Sequence, residues 1–163
     1  DPKNYLPDAD LPMLWISGTN DFAFWLPGLQ ASYRATPVED HLCIRLRMAH
    51  GHSPGWAPEE IYVFADSILR DGTPVPRVTG QGREGDRVWM QVESETKLKS
   101  AELLFTRSDD EWWPDREWEA AEAQIGDGRV SATPPEGATV YFLNVTDERG
   151  LVVSGEHEYG GEK

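Results

Sequence analysis

One cysteine in 163 residues, about half as many cations as anions, and no long apolar run are this sequence's main shortages, and each excludes something. The lone Cys43 cannot close an internal disulfide, so cysteine usage leaves the redox compartment open, and its place in an apolar run predicts a buried structural thiol. Lys and Arg total 15 against 29 Asp and Glu, and the resulting charge of -14 repels phosphate backbones and anionic surfaces. Neither nucleic acid nor a membrane is therefore expected as a partner. No stretch of about 18 apolar residues exists, which excludes a spanning helix. No repeat of solenoid period and no low-complexity tract occurs.

What is present falls into two halves. In the first, Leu11 to Ser17 is a continuous apolar run closed by Gly18, the pattern of a strand buried on both faces of a parallel sheet. Pro27 and Gly28 mark the start of one or two helical turns over Leu29 to Arg34. A second strand is expected over Leu42 to Met48. Pro58, Glu59 and Glu60 then open a helix with Ile61, Phe64, Ala65, Ile68 and Leu69 on one stripe, ended by Asp71 and Gly72. Strand, helix, strand, helix with short connections predicts α/β structure, in which ligands bind beyond the carboxyl ends of the strands.

The second half loses the helical period after the proline-stiffened stretch Thr73 to Arg77. Strand-like runs follow at 87–92, 101–106, 118–125, 129–133, 139–145 and 151–157, separated by turns such as Gly126-Asp127-Gly128. The expected architecture is α/β followed by all-β, with a boundary between 1–73 and 74–163 and an immunoglobulin- or fibronectin-like β-sandwich as the second part. Along 140–145 both alternating faces, Val140, Phe142 and Asn144 against Tyr141, Leu143 and Val145, are partly apolar. Asn144-Val145-Thr146 matches a glycosylation sequon, but its position within a strand predicts that it is inert.

Chemistry concentrates at the two strand ends of the first half. Gly18-Thr19-Asn20-Asp21 delivers a carboxylate and His50-Gly51-His52 an imidazole, in the order acid then base. A nucleophilic hydrolase needs a base to take the nucleophile's proton and a carboxylate to hold that base in one tautomer. Asp21 alone would read as a turn former. The base is His52 or His50. Gly51-His52-Ser53-Pro54-Gly55 fits the letters of a nucleophile elbow, but Pro54 has no N–H to lend to an oxyanion hole, so Ser53 is rejected as nucleophile. Trp25 and Trp56, close to these turns, are candidate substrate-lining residues. Trp112, Trp113 and Trp118 are either core or a sugar-stacking platform. His50, His52 and Asp21 could present three metal ligands, but no further His or Cys supports that reading. The site thus assembled needs no metal and no cofactor.

Residues 1–77 resemble the end of bacterial acetyl xylan esterases, in the dienelactone-hydrolase and prolyl-oligopeptidase-like group of α/β-hydrolases. The resemblance rests on Leu11-Pro12-Met13-Leu14-Trp15, Gly18-Thr19-Asn20-Asp21-Phe22-Ala23, His50-Gly51-His52 and Glu59-Glu60-Ile61-Tyr62-Val63-Phe64-Ala65-Asp66. It implies the last strands and helices of a hydrolase sheet, a serine carboxylesterase with Asp21 as acid and His52 as base, and an acetylated polysaccharide as the ester. The elbow serine of that family is absent. The expected partner is therefore a missing N-terminal hydrolase portion or a second chain, with oligomerisation or strand exchange to cover exposed apolar surface. Asp1 to Pro7, polar and punctuated by prolines, reads as the interior of a longer polypeptide. A periplasmic or secreted location is the expectation, although no residue fixes it. The alternative function, from a different class, is a non-catalytic carbohydrate- or protein-binding sandwich.

Overall fold

A computed structural model describes residues 2–161; Asp1, Glu162 and Lys163, which the expected segments 1–73 and 74–163 include, lie outside the described residues. Two short 3₁₀ turns lead into strand β1 (Met13–Gly18), which pairs in parallel with β2 (Asp40–Arg45) in the register Met13 to Asp40 through Gly18 to Arg45. Helix α1 (Leu26–Tyr33) links them. It carries Pro27 in its first turn, and its buried residues Leu26, Leu29 and Tyr33 recur at helical spacing. The short α2 (His52–Trp56) and α3 (Glu60–Leu69) complete the first half. On α3 the expected apolar stripe is not the buried feature: Ile68 and Leu69 are exposed and Glu60 is fully buried. Its carboxylate takes two hydrogen bonds from Arg45 Nη2, at 2.6 and 2.7 Å, and one from the Val152 N–H at 2.6 Å.

The second half is two antiparallel sheets. One runs β3 (Arg77–Glu84), β4 (Arg87–Glu93), β8 (Arg129–Ala132), β7 (Gln124–Gly126). The other runs β10 (Val152–Ser154), β9 (Val140–Asp147), β5 (Leu98–Thr106), β6 (Trp118–Glu122), with β11 (Glu158–Tyr159) also pairing with β9. The single run expected over 118–125 is two strands, because the chain leaves β5 after Glu122 and joins β8 from Gln124, with Ala123 at the crossing. The turn between β7 and β8 places Asp127 and Gly128 at positive φ, 52° and 74°, as a type I′ hairpin requires.

Three layers result. Val88, Met90, Val92 and Val130 of the first sheet face Leu103, Phe105, Tyr141, Leu143 and Val145 of the second. The opposite face of that second sheet, through Leu104, Trp118, Val140 and Phe142, packs on Leu26, Leu29, Tyr33, Leu42 and Ile44 of the first half. This is why 140–145 is apolar on both alternating faces: β9 lies in the middle layer. The halves are also stitched by hydrogen bonds, since Ser154 Oγ accepts the Ile44 N–H at 2.7 Å and Asn144 Nδ2 donates to the Ile44 carbonyl at 3.0 Å.

Among the described residues the fold is thus mixed and β-dominated, with three short α-helices. That architecture overturns the expected resemblance to the α/β-hydrolases. The sheets are built of antiparallel strands, and the parallel pairing that such a sheet consists of is confined to β1 and β2. The two-strand parallel unit gains its burial from the antiparallel layer beneath it, through Leu42 and Ile44, rather than from helices on both faces.

Candidate functional site

The acid turn follows directly from the end of β1. Gly18 is required there because a Cβ would lie 2.1 Å from the Met48 carbonyl oxygen, so the two turns approach too closely for a side chain. The Thr19 N–H continues the pairing to the Arg45 carbonyl, and the Asp21 N–H closes back on the Gly18 carbonyl. Asp21 is then 5% exposed, and its Oδ1 accepts the N–H groups of Ala23 and Phe24, both at 2.8 Å. Burial alone raises the Asp21 pKa. The hydrogen bonds from Phe24, His50 and Ala23 outweigh it and hold the carboxyl below the usual carboxylate range.

His50 meets this carboxylate. Its Nδ1 lies 3.0 Å from Asp21 Oδ2 and 3.1 Å from Oδ1. An ionised carboxylate offers only acceptors, so Nδ1 presents a proton to Asp21, and in the neutral ring the acceptor nitrogen is Nε2. The ring is held edge-on by Phe22 at 4.6 Å between centroids and flanked by Phe24 at 5.6 Å. A cleft of ≈ 440 Å³ opens beside the pair, walled by Ile16, Phe24, Met48 and Trp56. Among the described residues no side-chain hydroxyl or thiol is hydrogen-bonded to Nε2.

The structure therefore brings Asp21 together with His50, and sets His52 apart. His52 is the first residue of α2 and is exposed, lining the cleft without a hydrogen bond to Asp21. Trp56 lines the same cleft. Trp25 does not; its ring packs at 72° to Trp113, with centroids 6.4 Å apart. Ser53 is exposed within α2. Among the described residues no group of three His, Cys, Asp or Glu is placed to hold a metal ion. Of Trp112, Trp113 and Trp118, the last two are core and Trp112, 58% exposed, faces solvent, so the three form no coplanar platform. Cys43 is buried, and that burial pushes its thiol up to about 12.

Sequence reasoning missed the residues around the pair. Asn20 Nδ2 donates to the carbonyls of Pro114 and Arg116, and Thr19 Oγ1 accepts the Arg47 N–H. Both link segments far apart in the chain, and nothing local announces them. No protein-family model, no curated protein and no solved structure matches this chain. The comparisons thus give the expected esterase family no support, and the architecture already argues against it.

Proposed function

We propose that Asp21 and His50 are the oriented acid and base of a hydrolytic site that cleaves a carboxylic ester, with the nucleophile delivered to Nε2 by other polypeptide. The observation carrying this reading is the two-oxygen contact of a buried carboxylate with His50 Nδ1, beside a cleft that His50 itself lines. In that role Nε2 takes the nucleophile's proton and returns it to the leaving group. Asp21 stabilises the imidazolium formed in between. The outer edge of β1, unpaired among the described residues, and the exposed rings of Phe22, Phe24 and Trp56 support a partner on this face.

A second reading draws on the sandwich. The orders β3-β4-β8-β7 and β10-β9-β5-β6 support an immunoglobulin-like assignment, and the exposed Trp112 favours a carbohydrate- or protein-binding role. One experiment separates the two: p-nitrophenyl acetate turnover by the intact native protein, with xylan affinity measured beside it. On the catalytic reading His50→Ala costs about 10⁴-fold in turnover and His52→Ala only a few-fold, while Trp112→Ala leaves turnover alone. Unchanged turnover in His50→Ala overturns the catalytic reading, and lost xylan affinity in Trp112→Ala establishes the second.

A further inference from the structure

Asn20 stands next to Asp21, yet its side chain points across the molecule. Its Nδ2 donates to the Pro114 carbonyl at 2.9 Å and to the Arg116 carbonyl at 2.8 Å, using both amide protons. Its Oδ1 accepts from Thr19 Oγ1 at 2.8 Å. That hydroxyl in turn accepts the Arg47 N–H at 2.9 Å, and Arg47 Nη2 donates to the Trp118 carbonyl at 2.6 Å. One segment, 114–118, thus grips both turns: the acid turn through Asn20 and the histidine turn through Arg47, three residues before His50. The segment is itself anchored, since Trp113 and Trp118 are buried in the core shared with α1 and β2.

We infer that Asn20 is a positioning residue for the Asp21–His50 pair, and that the 114–118 segment of the sandwich is part of the site rather than of a separate module. The inference rests on the reading of Asp21 and His50 as a working pair. A carboxylate that must hold an imidazole by both oxygens tolerates little movement of its backbone, and the Asn20 amide fixes the peptide immediately before it. Neither Pro114 nor Arg116 offers its side chain to this contact; the carbonyls do. The donor character of Asn20 is therefore what the geometry uses, not only its volume.

The test is the His50 Nδ1–H resonance in histidine-¹⁵N-labelled full chain, assigned by its disappearance in His50→Gln. In the wild type the contact with both Asp21 oxygens is expected to hold this proton long enough for it to be observed. Asn20→Asp keeps size and shape but places a carboxylate against two carbonyl oxygens. It is expected to broaden or abolish the signal as fully as Asn20→Ala does, while core methyl signals of Leu103, Leu143 and Val145 stay in place. Pro114→Gly, which loosens the accepting segment from the other side, is expected to act in the same direction and keeps the test available if an Asn20 variant does not fold. An unchanged His50 signal in Asn20→Asp overturns the inference. Asp21→Asn separates the two claims: if it leaves the His50 signal unaltered, the pair itself is absent and the catalytic reading falls with it. If the Asn20 variants move the signal while the intact protein turns over no ester, positioning stands and catalysis does not.

Discussion

His157 is the residue whose protonation the fold opposes most directly. It is 2% exposed, its ring lies edge-on to Trp113, and burial followed by the nearby Arg34 charge lowers its pKa from 6.5 to about 4. A depressed pKa means that the unfolded chain binds the proton first. The stabilising contribution is complete above pH 6.5 and is lost as pH falls towards 4, by about 3 kcal/mol in all at 1.36 kcal/mol per unit. His41, also depressed by burial, acts in the same sense. Urea midpoints measured between pH 7 and pH 4 should fall steeply for the wild type, and His157→Phe should flatten that slope. At this scale the sequence was half legible. The tight Gly18 turn and the chain order marked Asp21, because a strand end and a carboxylate are local signals. The choice between His50 and His52 was not local: it depends on α2 beginning at His52 and turning that ring to solvent.

Among the elements, α3 packs on the core through Val63 and Phe64 and is tied to β2 and β10 by one carboxylate. Glu60 is fully buried between Arg45 of β2 and the Val152 N–H of β10, whereas the Arg45 side chain keeps 34% of its exposure. The two partners are therefore unequal. Removing Arg45 strands a charge without solvent and is expected to cost about 3–5 kcal/mol. Removing Glu60 leaves a guanidinium that water still reaches, and about 1–2 kcal/mol is expected. Chemical denaturation of Arg45→Met beside Glu60→Gln checks the asymmetry; equal losses would contradict it. A buried glutamate at a helix start looks in sequence like a favourable dipole charge, so its true partners were invisible. Strand β3 was hidden for another reason. Gly80 and Gly82 dilute its pattern; at Gly82 the Trp89 ring lies 3.2 Å from where a Cβ would stand, whereas at Gly80 it would be an ordinary contact at 3.8 Å.

For the whole molecule, the middle layer decides behaviour. The expected segments 1–73 and 74–163 meet at the proline stretch 73–77, and across it the face formed by Leu104, Trp118, Val140 and Phe142 is covered by Leu26, Leu29, Leu42 and Ile44. Burial on both faces of one sheet couples the layers. Thermal unfolding should then give one transition, with tryptophan fluorescence and far-ultraviolet dichroism superimposing. Two separated transitions would show that the layers unfold independently. The two-faced apolarity of 140–145 was plain in the sequence. What it packed against was not, since alternation records that both faces are buried but not by what.

The Asn144 amide has a consequence for where this chain can be made. It belongs to an Asn-Val-Thr triplet, and in the folded protein it is 7% exposed and committed to the Ile44 carbonyl. A eukaryotic secretory route meets the triplet before that bond forms. A glycan attached there would wedge a bulky polar chain between β9 and β2 and keep the layers from closing, so production by that route calls for Thr146→Val, which removes the acceptor signal and leaves Asn144 in place.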